Sequence, residues 1–371
     1  MKRKALKFVL VGASILLVLA LLTGCGEKQA APTAAEPAAQ TSEWTLDNPA
    51  IQAVVAVQER HTAELMKNSE VVGTAVTVTE DGHPAIMVMA KSAALQKGPG
   101  GIPYELESVP LIIEVTGEIK AMKTTPPAVS HTAKQTAPIQ LGTSGGWRYD
   151  LANGYCCGGT LGSLILKGGK QYILSNYHVL EADIEAGGNS RTAQAGDPVI
   201  QPGLIDVSCN AANAQNVATL SGIKSLQGSN VDAAIAEVIT GMVRTDGAIL
   251  EVGTISGQTI AAALNQAVKK SGRTTGLTRS KVSGLNATVS VAYENECAGS
   301  AAFTKTFTGQ IYISNKASKF LAGGDSGSLM VEDVSTNPRA IGLLFAGSSS
   351  SAVANPIGQV LSFLGGTMVG N

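Results

Sequence analysis

The chain has 371 residues, 44% of them hydrophobic and 15% charged, with 27 Lys and Arg against 28 Asp and Glu. That apolar content suits a globular protein with a substantial core, and the length leaves room for more than one domain. A formal net charge of -1 offers no broad attraction to phosphate-rich partners, which excludes nucleic acid as the expected ligand.

Lys2, Arg3, Lys4 and Lys7 precede a mostly apolar stretch from Phe8 to Leu22, the order of an export signal. The stretch is short for a membrane span of about 20 residues and is interrupted by Gly12 and Ser14. Leu22-Thr23-Gly24-Cys25 resembles the lipobox of bacterial lipoproteins. The resemblance implies that 1–24 is a signal peptide, that Cys25 is acylated, and that the protein lies outside the cytoplasm. Each buried acyl methylene contributes about 0.8 kcal/mol, so several chains hold a protein at a membrane with no spanning helix. In an oxidising compartment Cys156, Cys157, Cys209 and Cys297 form an even set able to make two disulfides. A bond between the neighbours Cys156 and Cys157 would be strained, so each is expected to reach Cys209 or Cys297, with the pairing open.

Residues 25–44, rich in Ala, Pro, Glu, Gln and Thr, have too few large apolar side chains to offset the entropy of ordering and read as a tether. A helix is predicted to begin near Thr45 or Asp47, with Ile51, Val54, Val55 and Val57 near one apolar stripe before Leu65. Val71 to Val78 and Ala85 to Met89 flank Glu80-Asp81-Gly82, a hairpin signal, and Val109 to Val115 reads as another strand. Residues 45–120 are therefore expected to form a small α/β domain, without catalytic residues, followed by a Pro-, Ser- and Thr-rich linker over 121–145. This small domain reads as a packing or folding aid in preference to a cap over the active site. From 146 to 371 short apolar runs broken by glycine predict a β-barrel or a pair of barrels. They include Gly159 to Leu166, Tyr172 to Leu174, Val231 to Val238 and Ala340 to Leu344, with Lys167-Gly168-Gly169-Lys170 as a hairpin turn.

Hydrolysis of a peptide by a serine needs a base, an acid to orient that base, and N–H donors for the developing oxyanion. In Gly323-Gly324-Asp325-Ser326-Gly327-Ser328 the glycines let the backbone turn sharply and gather its N–H groups. The segment resembles the Gly-Asp-Ser-Gly motif of trypsin-like proteases. This implies Ser326 as nucleophile and the N–H groups of Gly324 and Ser326 as oxyanion hole; Ser328 stands where the family usually has glycine. Leu174-Ser175-Asn176-Tyr177-His178-Val179-Leu180 is similar to the histidine segment of bacterial members, which implies His178 as base. His61, on the helix, His83, beside a turn, and His131, in the linker, are set aside. Asp232 is framed by Val231 and by Ala233 to Ala236, so its strand carries an acid into an apolar setting that requires a partner. Its segment also resembles the one that holds the family's aspartate. Asp206 is the next candidate; Asp183 and Asp197 lie in loop-like contexts.

The order His, Asp, Ser, with spans of 54 and 94 residues, is that of the chymotrypsin-like fold. Gly272 to Thr278 with Val282, Ile341 to Ser348, and Ala354-Asn355-Pro356-Ile357 resemble bacterial relatives of the plant narrow-leaf serine proteases. The resemblance implies a double β-barrel over 146–371, preceded by the small α/β domain, and a protein or peptide substrate. By the same resemblance Phe345, Ala346 and Gly347 would pair with substrate backbone, and Phe320 would line the base of the pocket for the residue before the scissile bond. Neither phenylalanine is charged, so an apolar or small residue is expected there. A histidine base must be neutral to accept a proton, so activity should fall below the ordinary imidazole range, about 6.5.

No cofactor is expected: there is no His-Glu-x-x-His, and the cysteines lack the paired spacing of a zinc site. An esterase fits less well, because Gly324-x-Ser326-x-Ser328 lacks the final glycine of the nucleophile elbow. The main alternative is a binding lipoprotein that keeps the barrels without turnover.

Overall fold

The computed structural model describes residues 44–120, 130–152, 155–180, 192–222, 226, 228–293, 303–316 and 318–371. The expected signal peptide, Cys25 and most of the tether, and residues 121–129 of the linker, lie outside the described residues. Among the described residues no helix is long and apolar enough to cross a membrane.

Helix α1 (Pro49–Leu65) starts where Asn48 Oδ1 accepts from the Ala50 N–H at 2.8 Å and the Ile51 N–H at 3.4 Å. These bonds satisfy donors that a helix end leaves open, and proline at the first position has no N–H to satisfy. Ile51, Val54, Val57 and Leu65 are buried, as the stripe predicts. Strands β1 (Val71–Val78) and β2 (Pro84–Ala90) form the expected antiparallel hairpin. After β3 (Glu105–Leu106), β4 (Val109–Val115) runs parallel to β2.

The next strands are β5 (Thr143–Trp147), β6 (Leu151–Ala152), β7 (Tyr155–Cys156), β8 (Gly159–Leu161), β9 (Ser163–Lys167) and β10 (Lys170–Ser175). The short helix α2 (Tyr177–Leu180) precedes β11 (Pro198–Gln201), β12 (Gln215–Leu220) and β13 (Ala234–Val238). Their order in one sheet is β9-β10-β13-β12-β11-β5-β8. Only Gly162 separates β8 from β9, so these two are one bent strand and the sheet closes into a barrel. The bend requires glycine: a Cβ there would lie 2.0 Å from the Gly327 carbonyl oxygen. Trp147, Leu164, Ile173, Val199, Val217 and Ile235 fill the inside, each contributing on the order of 2 kcal/mol by leaving water.

A second barrel follows, built from β14 (Ala267–Gly272), β15 (Gly276–Tyr293), β16 (Phe303–Ser314), β17 (Leu329–Glu332), β18 (Ala340–Gly347) and β19 (Ser351–Pro356). The order is β14-β17-β18-β19-β16-β15, and pairing of β14 with β15 closes it. Helix α3 (Ile357–Leu364) and β20 (Thr367–Met368), which pairs with β9, end the chain. Strand β15 is 18 residues long. Its first third pairs with β14 and its remainder with β16, while β1 adds along it with Gly73 opposite Val289. The sheet of the second barrel thus continues through β1, β2, β4 and β3 to ten strands. Ile51, Val54 and Ile86 pack in one cluster with Leu285, Ile311 and Leu344, so the N-terminal segment shares a core with this barrel.

Residues 239–266 connect the barrels and are laced down along their length. The Gly257 N–H donates to the Asn371 carbonyl at 3.0 Å, and the Asn371 N–H to Ile255 at 2.9 Å. The Ile260 N–H donates to Ala340 at 3.0 Å, and the Leu264 N–H to Trp44 at 2.9 Å. The result is a mainly β protein, a chymotrypsin-like double β-barrel with a helix and hairpin added at its N-terminal side.

Candidate active site

His178 lies on α2, directly after β10, and Asp232 lies two residues before β13, the strand that pairs with β10. The pairing of Leu174 with Ile235 brings the two segments together, and His178 Nδ1 stands 2.6 Å from Asp232 Oδ2. Asp232 is wholly buried. A buried carboxylate costs several kcal/mol unless donors replace its water, and here they do. Oδ1 accepts from the Tyr177 N–H at 2.7 Å and more weakly from the His178 N–H at 3.4 Å, while Oδ2 also accepts from the Tyr293 hydroxyl at 2.8 Å. The backbone of Asp232 is fixed from both sides. Its N–H donates to Asn355 Oδ1 at 2.9 Å and its carbonyl accepts from Asn176 Nδ2 at 2.7 Å. Diverted to these side chains, Val231 to Ala233 do not join the strand expected to begin at Val231; β13 starts at Ala234.

Ser326 stands in the turn between Phe320 and β17. Gly324 and Gly327 have φ of +86° and +92°, and a Cβ on Gly327 would lie 2.2 Å from both Ser175 Oγ and the Thr160 carbonyl. Only glycine lets this loop lie so close to β8 and β10. The loop is pinned there: the Thr160 N–H donates to the Ser326 carbonyl at 2.8 Å and Thr160 Oγ1 to the Gly324 carbonyl at 2.9 Å. Among the described residues, neither the Gly324 N–H nor the Ser326 N–H has an acceptor. Two such donors on one turn are suited to a developing oxyanion.

Asp325 points the other way, into the second barrel. Oδ1 accepts from the Thr274 and Thr275 N–H groups at 2.9 and 3.1 Å, and Oδ2 accepts from Thr275 Oγ1 at 2.7 Å and the Ala322 N–H at 3.0 Å. Lys270 Nζ lies 3.1 Å from Oδ2, and both side chains are wholly buried. Burial pushes the Lys270 amine down from its ordinary value, and the Asp325 charge opposes that push.

Val179, the neighbour of His178, and the Ser326 carbonyl both lie against Gly159. A Cβ on Gly159 would lie 2.5 Å from Val179 Cγ2 and 2.9 Å from the Ser326 carbonyl. Among the described residues His178 and Ser326 share no hydrogen bond. Ser326 Oγ donates to the Phe345 carbonyl at 3.4 Å, a long contact.

Ala346, Phe345 and Phe320 are buried, and the Phe345 ring packs edge-on to Phe307 at 4.8 Å. Asp206, the alternative acid, is committed elsewhere: it accepts from Arg273 Nε at 2.9 Å and from Ser144 Oγ at 2.5 Å. Asp197 accepts from Trp147 Nε1 at 3.0 Å, and Asp183 lies outside the described residues. His131 is wholly buried, with Nδ1 2.7 Å from the Gly142 carbonyl and Nε2 2.7 Å from Glu251. Cys156 pairs with Cys209, one of the pairings the sequence leaves open, and Cys297 lies outside the described residues. Among the described residues no group of His, Cys, Asp and Glu is arranged to hold a metal ion.

Tyr293 and Lys270 were not singled out in the sequence. Alternation along β15 puts Tyr293 on the inward face with Val289 and Val291, and a buried tyrosine needs a partner for its hydroxyl. Lys270 shares the inward face of β14 with Val268. Burial, and then the charge of Asp232, raise the Tyr293 hydroxyl well above its ordinary range, so it keeps its proton and donates.

A family model described as the Nal1 C-terminal domain matches residues 227–355, which include Asp232 and Ser326. No curated protein matches the chain. Among solved structures, a glutamic acid-specific serine protease described as using a histidine triad in substrate binding is 19% identical. Its TM-score is 0.41, over 62% of this chain and 100% of that one. Thermobifida fusca Protease A is 18% identical with a TM-score of 0.42, over 63% of this chain and 99% of that one. Nocardiopsis protease is 15% identical with a TM-score of 0.38, over 61% and 97%.

Proposed function

We propose that this chain is an exported serine endopeptidase in which His178, Asp232 and Ser326 act as a triad. The observation that carries the reading is the 2.6 Å contact between His178 Nδ1 and a buried Asp232 that accepts from four donors. Asp232 fixes the imidazole with its proton on Nδ1, leaving Nε2 as the acceptor. Ser326 Oγ attacks the scissile carbonyl as its proton passes to Nε2. The carbonyl oxygen gathers negative charge against the Gly324 and Ser326 N–H groups. His178 then protonates the leaving amine, the acyl-enzyme forms, and His178 deprotonates the water that releases it.

The substrate is a protein or peptide. The floor that Phe320 supplies and the edge of Phe345, Ala346 and Gly347 favour an apolar or small residue before the scissile bond. The Cys156–Cys209 disulfide fits an oxidising compartment outside the cytoplasm. Acylation of Cys25 would hold the protein at a membrane there.

A second reading, a protease-fold lipoprotein that binds without turnover, draws on one observation: Ser326 Oγ is turned to the Phe345 carbonyl and not to His178. One experiment separates the two. A fluorophosphonate probe should label the native protein and fail to label Ser326→Ala and His178→Ala. Labelling that survives Ser326→Ala, or folded native protein that takes no label, removes the protease reading.

A further inference from the structure

The last residues before the linker lie on the edge assigned to substrate. Strand β17 pairs with β18 only from Ala340 to Leu343. The Gly327 N–H then donates to the Leu344 carbonyl at 3.0 Å, which brings the Ser326 turn against β18. Beyond Leu344, β18 keeps β19 on one side, while its other edge runs past Ser326 from Phe345 to Gly347. A peptide added there antiparallel would have one rung opposite Phe345, beside Ser326, and another, two residues upstream, opposite Gly347.

The Gly347 rung is already taken. The Lys120 N–H donates to the Gly347 carbonyl at 2.7 Å, and the Gly347 N–H donates to the Lys120 carbonyl at 2.8 Å. This is the reciprocal pair an antiparallel substrate would make. Ile119 is wholly buried, in a cluster with Tyr177, Tyr293, Phe345 and Ala346. On the far side the Ala292 N–H donates to the Ile119 carbonyl at 3.4 Å. The segment is anchored upstream, where Ser350 Oγ and Ser348 Oγ both donate to the Thr116 carbonyl, the former at 2.6 Å.

We propose that Ile119 and Lys120 are a built-in occupant of the substrate edge. The site is thereby self-blocked, and it is opened by extended peptides that offer a branched aliphatic residue for the place Ile119 fills. The proposal rests on the protease reading and deepens it. Gly347 cannot give its N–H and carbonyl to Lys120 and to a substrate at once, so the two compete. A small reagent that needs only Ser326 and the oxyanion donors does not enter the competition.

The test uses the full chain and internally quenched peptides that vary at the fourth residue before the scissile bond. Ile119→Ser empties the pocket, and Lys120→Pro removes the N–H donor. Both variants are expected to lower KM for peptides reaching that residue about tenfold, most for Ile or Val there, with kcat and fluorophosphonate labelling rate unchanged. A KM that stays the same or rises in folded variants overturns the proposal and makes the segment a structural seam. Hydrogen exchange on the native protein decides the matter if neither variant folds. Amides of residues 116–120 should exchange several-fold faster after labelling with an extended peptidyl phosphonate carrying Ile at the fourth position, but not after labelling with the small fluorophosphonate. Equal exchange in the two adducts overturns the proposal. Absence of any Ser326-dependent labelling would instead bring down the protease reading itself.

Discussion

The two barrels hold the side chains of the proposed triad in different ways. Where β10 meets β13, the Asp232 carboxylate is saturated by four donors and its backbone is gripped by Asn176 and Asn355. In the turn before β17 the neighbours of Ser326 are gripped, through Thr160, Thr274 and the buried Lys270–Asp325 pair, while Ser326 Oγ keeps one long hydrogen bond. Under the proposed triad, the contrast separates a part that keeps one orientation from a part that would receive a substrate. In the first, hydrogen bonds end on the functional group; in the second, they end around it.

Removing the ion pair should break this contrast most strongly. Lys270→Met leaves Asp325 charged and buried beside an apolar chain, and losing one partner of such a pair costs about 3 to 5 kcal/mol. Calorimetry should show a melting temperature lower by on the order of 10 °C, and kcat/KM should fall because the turn that carries Ser326 loses its inner anchor. A melting temperature within about 1 °C of the native value would show that the four N–H and hydroxyl donors hold Asp325 unaided.

Tyr293→Phe sharpens the other side. It removes one donor from Asp232 Oδ2 and keeps the ring stacked on Phe303, 5.0 Å between centroids. A hydrogen bond to a charged group is worth about 1.5 to 3 kcal/mol, so kcat should fall roughly ten- to a hundredfold with KM unchanged. A change in KM alone would reduce Tyr293 to a wall of the cleft.

The smallest effect lies outside both barrels. Arg60 and His61 on α1 hold the exposed Glu107 carboxyl at about 2, below its ordinary 4.5. A depressed carboxyl contributes stability above its unfolded value and loses it as pH falls through the folded one. Glu107→Gln should therefore lower the melting temperature slightly at pH 7, with the difference from the native protein closing as pH falls from about 4.5 to 2. A variant that parallels the native curve across that window would show the ionised clamp adds nothing, as screened surface pairs often do.

Much of the candidate site is legible in the sequence. Ser326, His178 and Asp232 each sit in a short segment whose neighbours do local work: glycines that turn the chain, Asn176 that holds the Asp232 backbone, alanines that bury the acid. Local work leaves local patterns. The hairpins of β1 with β2 and of β9 with β10 were readable for the same reason, since their turns are written in adjacent residues. Tyr293 and Lys270 left no such trace. Each meets its carboxylate only after strands 61 and 55 residues away in the chain have come together, and an inward tyrosine or lysine on a strand looks like any other until then. The addition of β1 to β15 was hidden likewise, because edge pairing depends on which edge remains uncovered.

A hinge needs a stretch of backbone free to rotate, and the connection between the barrels has none to spare. Residues 255–264 are tied to Trp44, Ala340 and Asn371, residues far apart in the chain. Ala340 belongs to the second barrel, and Asn371 follows β20, which pairs with β9 of the first, so the connection is tied to both. Motion within the connection would have to break these backbone hydrogen bonds one after another, much as a zip opens from one end.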